Sequence, residues 1–213
     1  MAATTAWRRP GTRGALLTGA VVVLVAAMAL DTKVVRVGSG ADTVAGEFVP
    51  AAFGKAEFPR VQAAVEARAV DAAVLAEALA KDPDAATQKY GLVTETGPEL
   101  SVRFTGTAGK EELGVYDVSV PGLPPSVHIS VQTGPAINGT SLRDGSGLVR
   151  FGQFHNQIEF QNAGAALNNA MKTEVLSRVD TARLAGKTIS VVGVFDLSDP
   201  ADWVVTPVRL DVK

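Results

Sequence analysis

Apolar positions along the chain fall into three regimes. Residues 14–30 (GALLTGAVVVLVAAMAL) carry no charge at all. Further on, Phe58, Val61, Val65, Ala69, Ala72, Leu75, Ala76 and Leu79 trace the 3.6-residue period of a helix that buries one stripe. Pro59 suits the first turn of that helix and Lys81-Asp82-Pro83 ends it. Residues 84–90 add a second short helix, stopped by Gly91. Beyond residue 99 the period drops to two. Leu100, Val102 and Phe104 alternate with polar residues, as do Tyr116, Val118 and Val120, then Val127, Ile129 and Val131. A helical stripe returns at Phe160, Gly164, Leu167, Met171, Val175 and Val179, ending near Ala182. Residues 188–195 (TISVVGVF) are apolar on both faces, which predicts a central strand. Val204, Thr206, Val208, Leu210 and Val212 form the last alternating face.

Three strands, a helix and two strands is the order of an OB-type barrel, with a β-sandwich as the alternative. The predicted fold class is α+β: an N-terminal membrane helix, a helical segment, then an OB-like five-stranded β-barrel with a helix between strands three and four. The predicted divisions are 1–32 for the membrane segment, 33–95 for a stalk and amphipathic helical segment, and 96–213 for the barrel. Residues 33–37 (KVVRV) read as a short strand or stalk, and 38–46 as a loop. Gly193 permits the bend a small barrel needs. Residues 106–109 (GTAG) read as a hairpin turn; they lack the lysine and the following helix of a phosphate loop.

The uncharged run follows Arg8, Arg9 and Arg13. Cations before an apolar segment stay cytoplasmic, so the rest of the chain lies outside. Two readings follow: a single-pass signal anchor in the cytoplasmic membrane with the C-terminal domain extracytoplasmic, or a signal peptide cleaved after Ala27-Met28-Ala29, leaving a secreted or periplasmic protein. Taking Arg8, Arg9, Arg13 and Asp31 from the 20 cations and 22 anions leaves 17 and 21, a net charge of −4 for residues 33–213. An acidic domain lacks the footprint needed to neutralise phosphates, which argues against nucleic-acid partners. The chain has no cysteine. That removes disulfides, thiolate metal sites and a thiol nucleophile.

Residues 133–168 hold the candidate chemistry. Gly134-Pro135, Asn138-Gly139 and Asp144-Gly145 are turn dipeptides. Arg143 and Asp144 have two readings. One is a staple holding the loop to the next helix, since a guanidinium offers five donors in a planar fork. The other is a polar ligand cleft of Arg143, Asp144, Asn156, Gln157 and Asn168, suited to a sugar or polyol through paired hydrogen bonds. His155 has no nucleophile or carboxylate at an informative spacing, and with only His128 besides it makes no metal set. The residues therefore imply no catalytic site and no metal or other cofactor.

Certain pairs recur in a known pattern: Asp31-Thr32-Lys33-Val34-Val35 after the apolar run, Tyr90-Gly91, Gly134-Pro135, Gly139-Thr140, Arg143-Asp144, Phe151, Phe154, Asn156-Gln157, Leu167-Asn168, Gly186-Lys187 and Pro207-Val208. Together they resemble a bacterial family of predicted periplasmic lipoproteins, domain of unknown function 2291. The Gly-Thr, Arg-Asp, Asn-Gln order is the specific part. The resemblance implies an OB-like barrel and genes placed beside sugar importers of the ATP-binding-cassette (ABC) type. A carbohydrate ABC importer component or solute-binding protein is then the implied partner, and the protein a non-enzymatic accessory to it. The chain departs from the family in lacking a lipobox cysteine, so a membrane helix or free secretion is expected to replace the lipid.

Overall fold

The computed structural model describes residues 22–25, 28, 48–94 and 97–213. Met1–Glu47 and Phe48–Lys213 are separate units. In the first, Val22, Val23, Leu24, Val25 and Met28 are helical and exposed. The rest of the 14–30 run, Arg8, Arg9, Arg13, the 33–37 stalk and the 38–46 loop lie outside the described residues. Among the described residues no helix is long and apolar enough to cross a membrane, so the expected membrane helix finds no support in the structure.

The second unit opens with α1 (Pro50–Arg68), β1 (Val70–Asp71), α2 (Ala72–Lys81), α3 (Pro83–Tyr90) and β2 (Gly91–Val93). The apolar stripe is real: Phe58, Val61, Val65, Ala72, Leu75 and Ala76 are almost wholly buried. Its boundaries differ from those predicted. The helix begins at Pro50 rather than near Phe58, and Pro59 lies inside it. Pro59 was expected in the first turn, but it lies in the helix interior, where tertiary packing outweighs its low propensity. The stripe also breaks at Ala69, whose extended backbone (φ −60°, ψ 124°) ends α1. Asp71 then caps α2, accepting from the Ala73 N–H at 3.0 Å, and β1 pairs in parallel with Val102 and Arg103.

Gly54 shows why α1 starts early. A Cβ there would stand 2.4 Å from the Ala166 carbonyl oxygen, so glycine sets the close approach of α1 to α5 (Gln157–Glu174). Gly54→Ala is expected to destabilise the unit by about 1–3 kcal/mol through overpacking. Thermal melting checks this; an unchanged melting temperature would show that the two helices can part without cost.

The remaining strands are β3 (Pro98–Glu112), β4 (Val115–Ser119), β5 (His128–Gln132), β6 (Thr188–Asp196) and β7 (Asp202–Val212). They run in the order β3-β4-β5-β7-β6, and β6 pairs back onto β3. The sheet therefore closes into five strands, with β5 and β7 parallel and the other barrel pairs antiparallel. With α5 between β5 and β6, this is the predicted OB order. Closure leaves no free barrel edge.

Two sequence expectations need correction. Residues 106–109 are not a turn but the middle of β3. The turn falls at Leu113 and Gly114, with φ of +52° and +83°. Gly106 is instead a packing site, since a Cβ would meet the Ser119 carbonyl oxygen at 2.5 Å. In β7 the inward face changes. Val192 faces Arg209 while the next residue, Gly193, faces Pro207, so Val208 is an inserted bulge residue. Before it Trp203 and Val205 point inward; after it Val208 and Leu210 do, while Val204 and Val212 are exposed. A period-two reading cannot see a phase change made by one extra residue. Trp203 is fully buried, stacks on Phe195 at 4.8 Å and donates its indole N–H to the Pro200 carbonyl at 2.9 Å. Gly193 sits at this bulge, where a Cβ would lie 2.5 Å from the Thr206 carbonyl oxygen.

Candidate functional site

Thr140 begins the central feature. Its carbonyl accepts from the Arg143 and Asp144 N–H groups, starting a single helical turn, α4 (Ser141–Asp144). Gly139 before it has φ +82° and Gly147 after it φ +69°, a left-handed backbone that favours glycine. Asp144 holds the Arg143 fork at two points, Nε to Oδ1 at 2.7 Å and Nη2 to Oδ2 at 2.9 Å. Nη1 of Arg143 donates to the Phe160 carbonyl at 3.1 Å, and the guanidinium lies 3.7 Å from the centre of the Phe160 ring. Thr140 Oγ1 donates to Asp144 Oδ2 at 2.6 Å. Both charged side chains are more than nine-tenths buried. All three guanidinium nitrogens are therefore occupied inside the protein.

The loop beyond is fastened from α1. Arg68 donates from Nη2 to the Gly145 carbonyl and, at 2.9 Å, to the Ser146 carbonyl; burial lowers its pKa. Ser146 Oγ donates to the Arg143 carbonyl at 2.8 Å and accepts from the Leu148 N–H at 3.1 Å.

The other proposed site residues are placed apart. Asn168 is buried and donates to the Gly139 carbonyl at 3.0 Å, fastening the 137–140 loop. Asn156 caps α5, accepting from the Glu159 N–H at 2.9 Å, and Gln157 is exposed at its first position. A cleft of about 600 Å³ is lined by Arg143 and Asp144 but not by Asn156, Gln157 or Asn168. Its lining also includes Leu92, Val93 and Thr94 from β2 and the residue after it, and Val149, Arg150 and Phe151. Val93 is 79% exposed and Phe151 45%. Behind Val93, β2 pairs only with β3 among the described residues. His155 lies on the surface, 3.0 Å from Glu159 Oε2. The His155 backbone N–H holds the Glu159 pKa down.

Glu99 is a polar residue that the alternation did not single out. It shares the face of Ser101 and Arg103, opposite Leu100, yet it is 4% exposed because α4 covers that end of β3. Oε1 accepts from Ser141 Oγ at 3.2 Å, and Oε2 has no hydrogen-bond partner. Burial pushes its pKa up to about 8; Asp196 and Asp144 add to the rise, while the Ser141 hydroxyl and Arg143 oppose it. In sequence Glu99 reads as one more polar residue of the alternation, on the face of Ser101 and Arg103.

On an OB barrel, ligands commonly meet the face of the second and third strands. Here those are β4 and β5, whose exposed positions include Asp117, Ser119 and His128 and no aromatic platform. The family model for predicted periplasmic lipoproteins (DUF2291) matches residues 20–211. The chain belongs to that family. Membership places it among extracytoplasmic, membrane-anchored proteins. A solved OB-fold protein from Thermotoga maritima is similar in structure, with a TM-score of 0.64 at 18% identity, over 78% of this chain and 99% of that one. That likeness shows the OB fold. The comparison with curated proteins gives no match.

Proposed function

We propose that this chain is a non-enzymatic accessory protein on the extracytoplasmic face of the cytoplasmic membrane, docking a partner protein in the cleft between β2 and residues 149–151. The observation that carries the reading is Val93, 79% exposed at the end of a strand paired on one side among the described residues, lining the same cleft as Phe151. An edge strand with an apolar neighbour suits an added extended segment, with main-chain bonds for affinity and the apolar walls for selection. Covering one such side chain contributes on the order of 1.5–3 kcal/mol. The internal pairing of Arg143 favours a protein partner over a sugar, because three of its five N–H donors are already spent inside the protein. The family resemblance supplies the partner class, a carbohydrate ABC importer component or its solute-binding protein. A single-pass helix over residues 14–30 supplies the anchor, with signal cleavage and a free periplasmic form as the alternative.

Co-purification from detergent-solubilised membranes tests it. Wild type should recover an importer component, and Val93→Asp should lose it while keeping the wild-type melting temperature. Equal recovery by both proteins would contradict the docking surface. A wild-type protein that binds sugars, seen as a thermal shift across a sugar panel, would restore the polar-cleft reading.

A further inference from the structure

Five of the chain's eight phenylalanines form one connected series outside the deep core. Phe151 meets Phe160 at 5.6 Å and Phe160 meets Phe154 at 5.5 Å. Phe154 meets Phe53 at 5.6 Å and Phe48 at 5.3 Å. Phe58, Phe104 and Phe195 are the buried remainder. Part of the series has a local explanation: Phe48 precedes the α1 cap and packs on Phe53 at 5.3 Å, a hydrophobic staple. That does not account for its outer members. Phe151 is 45% exposed, and Val49 and Ile158, next to Phe48 and four residues beyond Phe154, are 39% and 70% exposed. Beside Phe151, the exposed Arg150 has no ion-pair partner among the described residues.

Where the chain joins this surface identifies its occupant. Phe48 is the first residue of the folded unit, and the uncharged run ends at residue 30. Residues 31–47 reach at most roughly 60 Å when fully extended. A tether of that length holds the unit at an effective concentration of about millimolar against the membrane, so weak intrinsic affinity is enough for contact. A surface with phenylalanine and aliphatic side chains projecting is the composition that settles into the headgroup boundary of a bilayer through buried apolar area.

We propose that the Phe48–Phe154–Phe151 surface, with Ile158, rests on the lipid bilayer that anchors the chain. The inference rests on the membrane-anchored placement proposed above and adds an orientation: the unit lies with this face down, and the cleft mouth at Phe151 opens along the membrane surface.

The chain contains no cysteine, so single labels are unambiguous. Full-length Phe151→Cys, Ile158→Cys and Leu113→Cys, each carrying an environment-sensitive fluorophore, are reconstituted into vesicles of phosphatidylglycerol and phosphatidylcholine with nitroxide-bearing lipids. Leu113 is the reference, 91% exposed on the β3–β4 turn. Quenching at 151 and 158 should exceed that at 113 several-fold. Vesicle-bound protein with equal quenching at all three positions would overturn the docking but leave the anchor intact. Protein that fails to float with vesicles would overturn both. Labels at 151 and 158 shielded only in native membranes would assign the surface to a protein partner and overturn the lipid contact.

Discussion

Replacing Arg143 by alanine is expected to cost about 3–5 kcal/mol of folding stability, the penalty typical of breaking a buried pair from one side. The variant leaves Asp144 more than nine-tenths buried without its two guanidinium bonds. It also removes the side-chain bond to the Phe160 carbonyl and strips the cation from the Phe160 ring. The loss falls on one small element, since α4 is a single turn whose neighbours are irregular loops. Irregular backbone has to satisfy its polar groups through side chains, and Arg143 is the side chain that ties this turn to α5. Arg143→Lys should recover only part of the loss, because a point charge cannot reproduce the two parallel bonds to one carboxylate. Removing both charges, with Arg143→Ala and Asp144→Ala together, should be milder than Arg143→Ala alone, since no unpaired charge remains. Urea unfolding of the three variants measures this. Wild-type stability in Arg143→Ala, with loss of ligand or partner binding, would move Arg143 from scaffold to contact surface.

The second large effect is a fall in stability as pH rises. In the folded protein the Glu99 carboxyl is held protonated up to about pH 8, against an ordinary value of 4.5. The folded state therefore retains a proton that the unfolded chain has already released. The stability contributed by that proton is fully present below pH 4.5, declines between 4.5 and about 8, and is gone above. A shift of this size corresponds to on the order of 5 kcal/mol across the window. Ionised Glu99 would face Asp196 and Asp144, with an oxygen that lacks a partner, so the strain falls at the contact between β3 and α4. Glu99→Gln removes the titration. Unfolding free energies taken from pH 5 to pH 9 should fall for wild type and stay flat for the variant, which becomes the more stable protein in alkali. Parallel curves would show that Glu99 ionises normally. The lowered Glu159 carboxyl acts with opposite sign, losing its contribution as pH falls through its depressed value, below the Glu99 window.

The barrel was legible in the sequence because its signals are repetitive. The first three barrel strands have a period of two, the fourth is apolar on both faces, and α5 separates the third barrel strand from the fourth. Where one residue decided the geometry, the pattern failed. Val208 reverses the inward face of β7, hiding Trp203 from an alternation count. Gly54 and Pro59 lie within α1, one as a contact point and the other carried by surrounding packing. In the central block Arg143 and Asp144 stood out from sequence as an adjacent charged pair, and the structure joins them. The partners of Asn156 and Asn168 did not show, because an amide that caps a helix and one that fastens a loop are the same letter. Glu99 was obscured for a related reason: its burial comes from α4, more than forty residues along the chain.

Site-specific photocrosslinking from position 93 tests the central claim most directly. A photoreactive phenylalanine analogue replaces Val93 in the full chain in native membranes, with the same analogue at Leu113 as the reference. The docking account predicts one covalent adduct from position 93, identified by mass spectrometry as an importer component or a solute-binding protein, and none from 113. No adduct from 93, or the same adducts from both positions, would contradict it.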